Sequence, residues 1–443
     1  MGVITQADIE SSGVVGAGGA GFPSHVKLSA QVDTVIINAA ECEPLLHKDK
    51  EILRRYGDEV LVGLAAAVKL TGAENAVIAV KEKYNDVIAS LRSGLSSNMS
   101  ITPLADAYPA GDEMLLVYDV LGRIVPPGGI PPNVGAVVLN VETALNIASS
   151  PAGPVTEKYL TIGGAVAEPV TLRVPLGISL AECVAAAGGP TVEDANYIVG
   201  GVMMGQLKTN RDAPVDKTTT GVIVLPSDHV VIRRLKRDWK QVSRIAQSAC
   251  DQCSFCTELC PRYLLGHPVQ PHLAMRALGF NLLSEAGLPG AEFCSQCNLC
   301  SMYACPESLD PKEVYAHKKR ELAEKGEKWQ DPPFNPRRPA LHMSGRKAPM
   351  GRLISRMGLS GFSNVGPLKE KTITTRKVGI KLKQHVGAVC EPVGRIGQTV
   401  SRGELVGSVP SGNGKPALGA PVHSSIDGRI AAVEDNTVWI EKE

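Results

Sequence analysis

The chain has 443 residues, with 46 Lys and Arg against 45 Asp and Glu, and its net charge of +1 argues against a nucleic-acid polyanion as partner. It exceeds what one hydrophobic core normally serves, and 45 Gly with 31 Pro in a chain only 4% aromatic favour short strands and turns over helical bundles. The longest apolar stretches, such as 60–70, are far too short to cross a bilayer, so any membrane association is expected to come through a partner rather than a direct span. The sequence shows no secretory leader, which puts its 11 cysteines in a reducing, cytoplasmic setting where disulfides are not expected.

Residues 1–152 alternate short apolar runs at 32–40, 76–80 and 136–140, expected as buried strands, with helical patterns at 50–70, 85–95 and 111–121. That order predicts a Rossmann-like α/β sandwich with ligand loops at its strand ends. Gly16-Ala-Gly18-Gly19-Ala-Gly21-Phe22 contains a G-x-G-x-x-G, but no adequate strand feeds it, so the standard Rossmann pose is not expected. A run of glycine and alanine still lets a phosphate or planar ring approach the backbone closely. Three polar clusters follow at later strand ends: Asn38-Ala-Ala-Glu41-Cys42-Glu43-Pro44, Tyr108-Pro-Ala-Gly111-Asp112-Glu113, and Asn140-Val-Glu142-Thr143. Carboxylates and amides there suit ribityl or ribose hydroxyls.

Residues 153–239 read as a small β-grasp (SLBB) domain and connector, ending in a basic stretch, Arg233, Arg234, Lys236 and Arg237, expected as a solvated helix face. Within 240–327, two runs carry eight of the cysteines: Cys250-x2-Cys253-x2-Cys256-x3-Cys260-Pro261 and Cys294-x2-Cys297-x2-Cys300-x4-Cys305-Pro306. Three thiolates at double spacing, with a remote fourth before proline, match the bacterial-type pattern in which the fourth cysteine serves the other cluster. The expected sets are Cys250, Cys253, Cys256 and Cys305 for cluster 1, and Cys294, Cys297, Cys300 and Cys260 for cluster 2, each a 4Fe-4S cluster in a helical, ferredoxin-type domain. Structural zinc usually pairs two short knuckles and fits this spacing less well. Residues 328–373 read as an extended basic linker, and 374–443, with regular glycine-rich turns, as an all-β barrel-sandwich-like domain.

In combination these motifs resemble the flavin and NADH loops shared by the complex I NADH-binding flavoprotein subunit and the C subunit of Rnf electron-transport complexes. The β-grasp unit and paired cysteine motifs are similar to the Rnf protein too, but here the sandwich unit follows the cysteines. That order resembles the cobalamin reductases of propanediol-utilisation bacterial microcompartments. The resemblance implies FMN lined by Gly16, Gly18, Gly19, Gly21, Lys27, Asn38, Glu41, Tyr108, Asp112 and Asn140, with Glu43, Glu113 and Phe22 meeting NADH. It implies an NADH-dependent cobalamin reductase with FMN and two 4Fe-4S clusters, cobalamin as acceptor, and a shell protein and an adenosyltransferase as partners. The alternative is a non-catalytic subunit relaying electrons between proteins. No Asp-x-His-x-x-Gly loop is present and no residue is assigned to the corrinoid. Cys42, Cys183 and Cys390 fall outside the cluster spacing and are expected to be ordinary buried thiols.

Overall fold

The apolar runs of the first domain become a four-stranded parallel sheet in the computed structural model, which describes residues 3–284, 288–327, 338–370, 373–412 and 415–442. Its elements in chain order are α1 (Gln6–Ser11), α2 (Ser24–Lys27), β1 (Thr34–Ala39), α3 (Lys48–Thr71), β2 (Asn75–Lys81), α4 (Asn85–Arg92), β3 (Met99–Leu104), β4 (Ala107–Tyr108), α5 (Glu113–Leu121), β5 (Ala136–Asn140) and α6 (Val141–Ser149). The sheet order is β3-β2-β1-β5, and Ile36 of β1 lies between Val77 and Val138. Helices cover both faces, which is why β1, β2 and β5 read as continuous apolar runs. Val35, Ile37 and Ile78 pack with α3 and α6, while Ile36, Ala79 and Val138 pack with Leu116 and Val117 of α5. A Cβ on Gly63 of α3 would fall 1.9 Å from the Ala144 carbonyl oxygen of α6, so only glycine permits that approach. β3 is a half-polar edge strand that the apolar pattern did not mark.

The chain steps outward from β1 to β2 to β3 and then returns to place β5 on the other side of β1. Strand order therefore reverses between β1 and β5, and the crevice beyond their carboxyl ends is the expected ligand position of an open parallel sheet.

The next unit uses β6 (Glu157–Gly164), β7 (Val170–Pro175), α7 (Leu180–Ala186), β8 (Ala195–Val199), β9 (Gln206–Lys208) and β10 (Gly221–Pro226). β6 and β10 run parallel while β6–β7, β8–β10 and β8–β9 are antiparallel, a β-grasp arrangement with α7 across one face. Helices α8 (Val230–Leu235), α9 (Trp239–Ala249), α10 (Phe255–Glu258), α11 (Pro261–Leu264), α12 (Pro271–Gly279) and α13 (Pro311–Lys325) carry and surround the cysteine loops.

Two expectations are corrected. The basic stretch is not simply a solvated face: Arg234, nearly buried, pairs with Asp310 at 2.8 Å and donates to the Leu309 carbonyl, and Arg237 also reaches Asp310 at 2.6 Å. This shared carboxylate ties α8 to the helical domain, a partnership 76 residues apart that local pattern does not reveal. Residues 338–370, expected as an extended arm, instead pack onto the body; 328–337 and 371–372 lie outside the described residues. There β11 (Ala348–Pro349) pairs with β4, α14 (Met350–Arg356) buries Met350 and Leu353, and β12 (Leu368–Lys369) adds an edge to the β-grasp sheet beside β7. Scattered methionines and leucines without periodicity gave no helical pattern, and docking supplies the order.

The C-terminal strands, from β13 (Lys377–Lys381) to β21 (Thr437–Glu441), form two small facing sheets of four and three strands and a short hairpin. Their shared core contains Val378, Ile380, Val406, Val422, Ile430 and Ile440. No helix among the described residues is long and apolar enough to cross a membrane.

Candidate flavin crevice and cysteine sites

The glycine-rich loop sits at the mouth of the β1/β5 crevice although no strand feeds it. It closes on itself, Gly16 N–H donating to the Phe22 carbonyl and Gly21 N–H to the Gly16 carbonyl. Two outside groups fix it: Ala17 N–H donates to Thr143 Oγ1 at 2.9 Å, and Lys158 Nζ donates to the Ala17 carbonyl at 3.1 Å. Gly18 and Gly19 are exposed, a Cβ on Gly18 would lie 3.4 Å from Asn140, and one on Gly19 would meet nothing within 4 Å. The loop thus offers bare backbone beside the end of β5. Gly21 faces the other way, packed against Thr218 and the 384–385 backbone, and Phe22 is half-buried.

At the end of β1, Asn38 Nδ2 donates to the Gly111 carbonyl at 2.9 Å. Glu41 accepts from the amides of Asp49 and Lys50, capping α3, and burial pushes its carboxyl up to about 7. Asn140 caps α6 and donates to Asp49 Oδ2 at 2.8 Å. Lys27 Nζ bridges Glu113, at 2.9 Å, and the Val138 carbonyl, at 2.7 Å. Gly18, Asn38, Glu41 and Asn140 therefore converge on one crevice, while Lys27 and Glu113 are tied to each other along β5.

Beneath the crevice lies a cluster that motif reading passed over. Glu142, fully buried, pairs with Lys48 Nζ at 2.9 Å and with Lys158 Nζ, and accepts Tyr159 N–H at 3.0 Å. Burial would raise its carboxyl, but the two ammonium groups hold it below the ordinary range, while burial pulls Lys158 down to about 8. Glu142 follows Asn140 in a cluster the sequence did mark, but no sequence pattern links it to Lys48 and Lys158.

Glu43, Tyr108 and Asp112 point away from the glycine loop. Glu43 accepts the amides of Met203, at 2.9 Å, and Met204, at 3.0 Å, from the β-grasp domain. Tyr108 is buried and its hydroxyl donates to the Cys297 carbonyl at 2.6 Å. Asp112 caps α5 and pairs with Arg262 at 2.9 Å. Burial pushes the Glu43 carboxyl up to about 7, above 4.5 for an unperturbed one. Between those values the folded chain holds a proton that the unfolded chain releases, so this group makes stability fall as pH rises from about 4.5 to 7. Thermal unfolding across that range is expected to show a shallower decline for Glu43→Gln than for the parent chain; parallel curves would refute the shift.

The two cysteine loops share one backbone. Gln252 and Ser254 in the first, and Gln296 and Asn298 in the second, occupy the same positions relative to their cysteines and all have left-handed φ of 56–65°. Such turns aim successive sulfurs at one point, and amide hydrogens approach sulfur at Gln296 N to Cys294 Sγ and Leu309 N to Cys305 Sγ, both 3.4 Å. Cys250, Cys253, Cys256 and Cys305 line one cavity. Burial, then the neighbouring Cys253, Cys305 and Cys250, pushes the Cys256 thiol up to about 12. Cys297 is raised by burial and by Cys260 and Cys294, and Cys300 by burial and by Cys297, Cys294 and Cys260. The fourth cysteine of each run thus stands with the other run's triplet. Four thiols, each group short of any oxygen ligand, suit iron–sulfur clusters. Of the remaining cysteines, Cys183 and Cys390 are buried and Cys42 is half-buried, its thiol pushed up by burial to about 12.

A nucleotide-type α/β domain joined to a two-loop cysteine module defines an oxidoreductase that couples flavin to iron–sulfur chemistry. Domain families agree: residues 9–149 match the Nuo51 FMN-binding domain, 159–207 the SLBB domain, 249–310 a 4Fe-4S dicluster domain and 362–443 the RnfC barrel sandwich hybrid domain. The chain is 44% identical to the cobalamin reductase PduS of Citrobacter freundii, over 98% of this chain and 95% of that one, and 43% identical to PduS of Salmonella typhimurium over the same shares. It belongs to the PduS family of cobalamin reductases. A more distant relative, 36% identical over 57% of each chain, is the RnfC-type component of the Na(+)-translocating ferredoxin:NAD(+) oxidoreductase complex of Acetobacterium woodii.

Proposed function

We propose that this chain is an NADH-dependent reductase that passes single electrons to cobalamin, taking cobalt from Co(III) to Co(II) and Co(I) and so reactivating the cofactor of a diol dehydratase inside a bacterial microcompartment. The carrying observation is the sharing of side chains between the crevice and the cysteine loops, above all the Tyr108 hydroxyl on the Cys297 carbonyl. FMN supplies exchange between a two-electron hydride donor and one-electron carriers, and 4Fe-4S clusters supply those carriers.

The residues around the crevice fit FMN. Gly18 and Gly19 leave bare backbone for a phosphate or ring, and Asn38, Glu41 and Asn140 supply polar contacts for ribityl hydroxyls. Lys48, Glu142 and Lys158 keep the glycine loop and the start of α3 in register beneath them. A shell protein and an adenosyltransferase are the partners this reading calls for.

The occupied Glu43 favours a second reading. Its carboxylate is engaged by Met203 and Met204 rather than open to a nucleotide, as a subunit relaying electrons between proteins without oxidising NADH would have it. An anaerobic visible-spectrum titration of iron-reconstituted protein separates the two. In the reductase, NADH bleaches flavin and cluster absorbance, and added hydroxocobalamin restores both as cobalt is reduced. Bleaching by dithionite but not NADH would leave the relay reading standing and sink the first.

A further inference from the structure

We infer that the two cysteine sites are not equivalent: Cys260, Cys294, Cys297 and Cys300 form a flavin-facing inner site, and Cys250, Cys253, Cys256 and Cys305 a solvent-facing outer site that serves the acceptor. The roles rest on the proposed function; the geometry stands apart from it.

Three side chains at the ends of the flavin-domain strands each reach the inner set. Tyr108 holds the Cys297 carbonyl at 2.6 Å. Asp112 pairs at 2.9 Å with Arg262, two residues beyond Cys260. Glu43 takes the Met203 amide at 2.9 Å, and the Met203 carbonyl accepts from Asn298 Nδ2, next to Cys297, at 3.0 Å. Buried contacts of Tyr108, Cys42, Leu45, Met203 and Cys297 close the joint. The outer set is held from elsewhere, by Arg356 of α14 on the Cys305 carbonyl at 2.8 Å and by His272 of α12 on Thr257 at 2.7 Å.

Exposure separates the loops although their backbones are alike. In the outer loop Asp251, Gln252, Cys253 and Phe255 are exposed, Phe255 by 48%; in the inner loop Ser295 and Gln296 are half-buried, and Cys297, Asn298 and Leu299 are buried. One turn is sealed between domains and its twin is open to solvent.

Tyr108, Asp112 and Glu43 are on this view positioning residues for the inner site. Each transfer moves one electron, turning one iron from ferric to ferrous with no bond or proton exchanged; NADH supplies the electrons through the flavin, and a one-electron acceptor such as corrinoid cobalt takes them from the outer face.

The test is electron paramagnetic resonance of reconstituted, dithionite-reduced full-length protein with and without a soluble dysprosium chelate, which speeds relaxation only of centres near solvent. Cys297→Ala, which keeps the outer site, is expected to show a several-fold rise in the power needed to saturate its signal, and Cys256→Ala, which keeps the inner site, little change. Tyr108→Phe should alter the signal retained by Cys256→Ala and not that retained by Cys297→Ala. Equal or reversed sensitivity overturns the assignment. Should a cysteine variant fail to fold, the parent chain still decides, since one of its two overlapping signals must respond to the chelate and the other not. If the relaxation pattern holds but NADH reduces neither centre, the proposed function fails and the arrangement stands.

Discussion

Glu142→Ala is expected to cost about 3–5 kcal/mol of stability and most of the bound flavin, because it strands two buried ammonium groups. Lys48 and Lys158 are both almost wholly buried, and Glu142 is the carboxylate they share. Burying a charge is tolerable only when it is paired and hydrogen-bonded, and here the same two oxygens also accept the Tyr159 amide. Losing them would release Lys158 from its place on the Ala17 carbonyl and so loosen the loop that faces the flavin. Urea unfolding measures the first effect and flavin absorbance after gel filtration the second. Lys158→Met in the Glu142→Ala background should recover part of the loss, since it removes one stranded charge. A milder Glu142→Gln variant guards against outright unfolding, and a loss within about 0.5 kcal/mol for it would show that the network is dispensable.

Cys256→Ala should remove about half of the iron and abolish cobalamin reduction while leaving FMN bound, because a cubane that loses one of its four thiolates is no longer held. The flavin crevice lies in a separate domain whose core does not include Cys256, so flavin content is the internal control for folding. Iron assay, flavin absorbance and the rate of cobalt reduction are read on one preparation. Full cobalt reduction by a variant lacking that iron would refute electron delivery through this site.

Local pattern made the first domain legible. The strands at β1, β2 and β5 and the helices α3, α4 and α5 stand within a few residues of where apolar periodicity put them, because both-face burial leaves unbroken apolar runs and one-face burial leaves a helical stripe. Residues 338–370 were illegible for the opposite reason: α14 and β12 owe their order to the surfaces they dock on, and the apolar spacing within them is too short to carry a period. Gly16 to Phe22 could be read as a loop for close approach, but its seat beside Asn140 depended on β5, more than a hundred residues further on.

By itself the sequence determined the chemistry of the cysteines, since thiolate count and spacing are covalent facts: two runs of three with a fourth before proline specify clusters in any fold that lets them close. It likewise determined that bare backbone and strand-end carboxylates would meet a nucleotide-like cofactor. Only the tertiary structure decided which of those polar residues face the crevice and which hold domains together. Glu43, Tyr108 and Asp112 sit in the same motifs as Asn38 and Glu41, yet they turn to Met203, Cys297 and Arg262. A buried carboxylate or hydroxyl must find a partner, and whether that partner is a ligand or another domain depends on what the fold brings within hydrogen-bond reach.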